Sequence, residues 1–116
     1  MQNSKHLSGT DANIIKSNMP SLEICGSLAN FYSIFSDSTR IKIIIALLLS
    51  EMCVGDLSEL LGINQTTISH QLKILKNNDA VTTTRKNKFI FYKVTDKFIN
   101  SIMINGVDFI LNKKCG

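Results

Sequence analysis

The sequence predicts a mainly α-helical fold with one small β-hairpin, a winged helix-turn-helix of about five helices. Three observations predict it. Two short segments with helical apolar spacing meet at Gly62-Ile63-Asn64, where a glycine and a capping residue suit a tight turn. Two β-rich runs follow at once, Ala80 to Arg85 and Phe89 to Val94, joined by the tip Lys86-Asn87-Lys88. The positive charge is also local: Lys73, Lys76, Arg85, Lys86, Lys88 and Lys93 stand against Asp79 alone between Asn64 and Val94. The whole chain has a formal net charge of +4, so everything outside that stretch is slightly acidic.

Each element has its own signal. Residues 1–20 are rich in Ser, Asn, Gly and Lys and end at the single proline, which reads as a flexible arm with at most a helical turn near Asp11 to Lys16. From Leu22, the residues Cys25, Leu28, Ala29, Tyr32 and Phe35 recur at three- and four-residue steps, an amphipathic helix. Asp37 or Ser38 can cap the next one, Thr39 to Leu49, whose apolar residues run nearly all round, as in a central buried helix. The run Ile43-Ile44-Ile45 would also suit a strand; length and cap favour helix. Met52 to Val54 reads as a very short edge strand. Gly55-Asp56 opens a helix with Leu57, Leu60 and Leu61, closed by Gly62 in a left-handed conformation. Asn64 caps the helix from Gln65 to Asn77, with Ile68, Leu72 and Leu75 inside, and Asn77-Asn78-Asp79 ends it. Asp96 caps a last helix carrying Phe98, Ile99, Ile102, Met103, Val107, Phe109 and Ile110. That is more apolar surface than a small domain hides, which points to a dimer interface. The domain organisation expected is an arm (1–20), a DNA-binding and dimerisation domain (21–112) and a tail (113–116).

Composition narrows the function. With 44% hydrophobic and 19% charged residues, the 116-residue chain has the make-up of one folded domain and not of a disordered tail. The polar N-terminus lacks a signal-peptide core. The strongest apolar run, Ile41 to Leu49, is well short of the roughly 20 residues of a membrane span. Three widely spaced cysteines make no disulfide framework, and the cytoplasm is the expected compartment. No Gly-rich phosphate loop is present, and neither His6 nor His70 has a claim to pair with a cysteine nucleophile, so an enzyme is not expected.

The joined order helix, turn, helix, basic hairpin carries the function. A charge run alone is ordinarily a solvated face, but a major groove admits one α-helix, and the first turns of the second helix meet base edges. Those turns offer Gln65, Thr66, Thr67, Ser69 and His70, with Lys73 one turn on. Gln can bond adenine bidentately, and Thr and Ser read edges or hold phosphates. Arg85, Lys86 and Lys88 on the hairpin suit the neighbouring backbone or minor groove. The expected partner is double-stranded operator DNA. A protein-interaction module using the same basic wing on an acidic partner is the alternative.

From about Leu28 to Ile110 the sequence resembles the ArsR/SmtB family of winged-helix metalloregulators. Phe35-Ser36-Asp37-Ser38-Thr39-Arg40 is similar to the family's "LSDPTR", with Ser38 in place of proline. Glu51-Met52-Cys53-Val54-Gly55-Asp56-Leu57 resembles "ELCVCDL". Gln65-Thr66-Thr67-Ile68-Ser69-His70-Gln71-Leu72-Lys73-Ile74-Leu75 resembles "QSTVSRHLKVL", Asp79-Ala80-Val81 stands at the family's "GLV", and Arg85 to Val94 matches its wing. The resemblance implies a homodimer joined through its first and last helices, a repressor released from its operator by an inducer.

The family's metal sites are where the resemblance breaks. Its thiolate site uses both cysteines of "CVC", because a soft ion wants several converging sulfurs; here Cys53 is followed by Gly55. The positions of the last-helix site carry Asp96, Phe98, Phe109 and Asn112, of which only Asp96 can ligate, and the phenylalanines read as packing. No metal site and no cofactor are therefore expected. Cys25 lies on an apolar helix face and reads as a small core residue. Cys115 sits in the tail beside Lys113 and Lys114, which favour a thiolate. A thiol-based redox or metalloid sensor built from Cys25, Cys53 and Cys115 stays open as a variant of the repressor reading.

Overall fold

The computed structural model describes residues 6–115, and of residues 114 and 115 the backbone alone. The chain forms two compact units, one up to Phe31 and one from Tyr32 onward. The boundary between the units falls inside a helix.

The first unit holds α1 (Gly9–Asn18) and most of α2 (Leu22–Ser33). The helical turn expected near Asp11 is thus a ten-residue helix. Ser8 starts it, its Oγ accepting from the Asp11 N–H at 3.1 Å, and Met19 ends it. The apolar spacing gave little sign of α1 because none of its residues is buried. Residues 1–5 of the expected arm lie outside the described residues. Ser21 stands just before α2, and its Oγ accepts from the Ile24 N–H at 3.2 Å. α2 too has no buried residue, so Cys25, expected in a core, is exposed, its Sγ 3.8 Å from the Pro20 carbonyl oxygen. The amphipathic stripe is real, but what it faces is outward.

The second unit starts with the last turn of α2. Backbone bonds from Phe35 to the Tyr32 carbonyl and from Ser36 to the Ser33 carbonyl tighten the exit, a usual way to satisfy the last carbonyls of a helix. Asp37 then caps α3 (Ser38–Leu49), its Oδ2 accepting from the Arg40 N–H at 3.0 Å. α3 is the central helix as expected, packing against three later elements with Ile43, Ile44, Ala46 and Leu47 buried, although Ile45 and Leu49 face outward. The edge strand expected at Met52 to Val54 shrinks to one residue. Met52 and Tyr92 exchange two backbone hydrogen bonds, of 3.2 and 2.8 Å, while Val54 already belongs to α4 (Val54–Leu61). The physical reason is Cys53, the N-cap of α4, whose carbonyl accepts from the Leu57 N–H at 3.1 Å and so is taken up by the helix.

α5 (Gln65–Asn77) supplies three fully buried residues, Ile68, Leu72 and Leu75, as fully buried as Ile34, Ile43, Ile44 and Leu57. Asp79, at a φ of 58°, takes the left-handed step out of the helix that a short polar side chain tolerates. The chain then enters β1 (Val81–Lys86), which pairs antiparallel with β2 (Phe89–Val94), Val81 opposite Val94 and Lys86 opposite Phe89. Lys86 is thus the last strand residue and the turn itself is Asn87-Lys88, with Asn87 left-handed.

α6 (Lys97–Cys115) follows the hairpin and is the sixth helix among the described residues, where about five are expected. Asp96 caps it, Oδ1 accepting from the Phe98 N–H at 2.8 Å. The helix runs on through the expected tail: basic Lys113 and Lys114 suit a helix C-terminus, so nothing in 113–115 breaks it. Among its described side chains, Ile99 is the one apolar residue that is buried. Phe98 and Phe109, expected to be packing residues, are 53% and 68% exposed. No helix among the described residues is long and apolar enough to cross a membrane.

Candidate nucleic-acid interface

The site grows from the junction of α4 and α5. Gly62 adopts φ 66°, ψ 34°, so the chain turns in a conformation that a Cβ would strain. Ser58 closes the turn from both sides: its carbonyl accepts from the Ile63 N–H at 3.2 Å, and its hydroxyl donates to the Ile63 carbonyl. Asn64 is extended, and its Oδ1 accepts from the Thr67 N–H at 2.9 Å, starting α5 where the sequence predicts.

Three apolar residues hold one side of α5, and helical spacing decides the rest. Thr66, Ser69, His70 and Lys73 stand three, four and seven residues apart, on one stripe, and all four are exposed. Thr67, by contrast, is half-buried and spends its N–H on the cap. Gln65 is exposed, with its amide turned back over α4: Nε2 lies 4.0 Å from where a Cβ on Gly55 would stand. The predicted contact residues of α5 therefore divide into an outward stripe of four and two residues at the helix start that also serve the turn.

The hairpin follows α5 directly through Ala80, whose N–H donates to the Leu75 carbonyl at 2.9 Å. Side chains alternate along a strand, so Arg85 and Lys86 point to opposite faces. Lys86 is engaged: its ammonium pairs with the Glu51 carboxylate and lies 5.2 Å from the centre of the Phe91 ring. Together with the Met52–Tyr92 bridge, this pair ties the wing to the loop before α4. Arg85 and Lys88 are exposed, Lys88 at the tip. Of the three wing cations the sequence singles out, two are presented outward and one is also part of the wing's own attachment.

Two residues that tie the elements of the site together escaped the sequence reading. Arg40 donates from Nε to the Ile34 carbonyl at 3.0 Å and from an η nitrogen to Oε1 of Gln71 at 3.0 Å, and Gln71 lies on α5. Glu51 is the second, as the partner of Lys86. Both contacts join residues more than thirty positions apart, and no local pattern announces them; the only signal was that Arg40 ends a motif.

The residues do not fit a metal. Cys53 is half-buried at the N-cap of α4 without a second sulfur at Gly55. Asp96 uses a carboxylate oxygen to cap α6, and the phenyl groups of Phe98 and Phe109 have no donor atom. Among the described residues, no three of His, Cys, Asp and Glu stand together as ligands. Cys25 belongs to the first unit and Cys53 to the second, and the side chain of Cys115 lies outside the described residues.

Residues 37–83 match the model of a family of known proteins described as "Bacterial regulatory protein, arsR family". The chain is 32% identical over 83 residues to the transcriptional repressor SdpR of Bacillus subtilis, covering 72% of this chain and 88% of that one. It is 29% identical over 82 residues to a transcriptional repressor SmtB homolog of Synechocystis, covering 71% of this chain and 62%, less than two thirds, of that one. The crystal structure of the transcriptional repressor BigR from Xylella fastidiosa superposes with a TM-score of 0.65 and 27% identity, covering 90% of this chain and 96% of that chain.

Proposed function

Because the chain belongs to the arsR family of bacterial regulatory proteins, we propose that it is a transcriptional repressor that binds operator DNA as a homodimer. The observation that carries this reading is the outward stripe of Thr66, Ser69, His70 and Lys73 on a helix whose other side is locked into the core. A helix held in this way can enter a major groove as a rigid reader, its polar stripe against base edges and its positive N-terminal end toward a phosphate. Gln65 reaches bases by swinging away from α4. Lys88 and Arg85 meet the backbone beside the groove, and Lys86 does so only in competition with Glu51. SdpR and BigR are themselves named repressors, which supports the sign of the effect.

Dimerisation is the second half of the reading. α2, with Leu22, Ile24 and Leu28, and α6, with Phe98, Val107, Phe109 and Ile110, each expose apolar residues that a second copy would cover. Two copies paired through these helices would present two α5 helices to successive turns of one DNA face. Operator DNA places this activity in the cytoplasm. Release from the operator is by an inducer, and the unsuitable donor set argues that the inducer is not a metal ion held at either site that the family resemblance implies.

The test is fluorescence anisotropy of the purified full chain on its own promoter DNA and on a random duplex, across a salt series. Tighter binding to the promoter duplex, with affinity falling steeply as salt rises, is the expected result. Equal affinity for both duplexes at every salt concentration would overturn the repressor reading.

A further inference from the structure

We propose that Arg40 is a positioning residue for base recognition: it ties α5 to the end of α2 through Gln71 and so sets the angle at which the polar stripe meets DNA. The inference rests on the repressor reading above and deepens it.

The argument begins with what each end of the tie needs. The carbonyl end of α2 carries the negative end of its dipole, and the Ser33 carbonyl there already accepts from the N–H and the hydroxyl of Ser36. Arg40 supplies a cation there: Nε donates to the Ile34 carbonyl at 3.0 Å, and an η nitrogen makes a longer contact of 3.5 Å with the Ser33 carbonyl. Its other η nitrogen donates to Gln71 Oε1 at 3.0 Å. A guanidinium is a planar fork of five donors, so one rigid group holds both ends in fixed geometry. Arg40 is itself fixed at its backbone, as Asp37 accepts from its N–H. Both Arg40 and Gln71 are half-buried, where such a charge-assisted bond is screened less than at the surface.

Gln71 is well placed to convey this. It lies on α5 between the buried Leu72 and the exposed His70, off the outward stripe. Ile68, Leu72 and Leu75 fix α5 against translation, but aliphatic contacts permit small rotations. A directional hydrogen bond on the flank restricts them. Losing it leaves the helix folded and the phosphate contacts in place, and it blurs the base contacts, which tolerate little misplacement.

The experiment compares Gln71→Ala, Gln71→Glu, Arg40→Lys and the double variant Arg40→Lys/Gln71→Ala in the full chain, with promoter and random duplexes at equal salt. In Gln71→Ala the ratio of the two affinities is expected to fall about tenfold, the size of one misplaced base contact. Random-duplex affinity, salt slope and thermal midpoint should stay near those of the unchanged chain. Arg40→Lys should lose a similar factor and the double variant no more than either, as two ends of one tie require. Gln71→Glu keeps the accepting oxygen and should keep the ratio. An unchanged ratio in Gln71→Ala would overturn the proposal. So would losses that multiply in the double variant, which mark Gln71 as a separate DNA contact, or a Gln71→Glu ratio as low as that of Gln71→Ala. If the unchanged chain shows no promoter preference, the repressor reading itself fails, and that is seen before any variant is measured.

Discussion

Helices α5 and α6 are the two longest of the second unit; α5 sets three aliphatic residues inside and α6, among its described side chains, Ile99, and their outer sides differ in kind. α5 leaves Thr66, Ser69, His70 and Lys73 outside; α6 leaves Phe98, Ile104, Val107, Phe109, Ile110 and Leu111. A polar outer side is at rest in water and gains by meeting a polar groove. An apolar outer side is at rest only when covered. The same helical architecture therefore serves one surface that can come and go and one that asks for a permanent partner. In the proposed repressor these are DNA and a second copy.

Substitutions break this contrast in a graded way. The largest effect belongs to the inner side of α5. Leu72 is fully buried, and Leu72→Ala should lower unfolding stability by about 2–5 kcal/mol in a denaturant titration. On the outer side of α6, Phe109→Asp puts a charge on the surface that the dimer would bury. It should cost association at least about 2 kcal/mol, seen as a shift to monomer in sedimentation with helix content by circular dichroism unchanged. A Phe109→Asp chain that stays dimeric would show that this face is not the interface.

Smaller effects sharpen the polar half. Asn64→Ala removes the cap of α5 and should cost about 1 kcal/mol of stability, measured in the same titration. Weakest and most discriminating is the pair on the wing. Lys88→Ala should reduce the slope of log affinity against log salt by about 0.9, the share of one phosphate contact. Lys86→Ala should reduce it less, because Glu51 already neutralises that ammonium and must be displaced first. Equal slopes for the two variants would show that the Glu51 pair gives way to DNA at no cost.

The parts of the fold that are local in origin were legible in the residues. Gly62 turns left-handed and Asn64 caps because each is chosen for what its own backbone must do. The three buried residues of α5 follow from spacing alone. The parts that escaped depend on distant partners or on missing ones. α1 has caps but no inward face, so periodicity was blind to it. Cys25 sits on an apolar stripe, and a stripe says that a face is apolar, not which surface covers it. Lys86 counted as one more wing cation until the fold brought Glu51 to it across thirty-five positions. Arg40 reads as motif until Gln71 arrives from α5. The candidate site was thus visible as a list of side chains, while their division into outward readers and internal ties needed three dimensions.

The closed junction between α4 and α5 also bears on how fast such a protein acts. Ser58 bonds both ways to Ile63, Gly62 completes the turn, and Asn64 starts the next helix without any slack chain between. A recognition element already in its bound geometry has little chain left to order at contact. Encounter should then be governed by diffusion and by the basic stretch that steers it, giving similar arrival rates on right and wrong sequences. Discrimination falls to departure: the time spent on DNA, rather than the frequency of landing, would separate the operator from everything else.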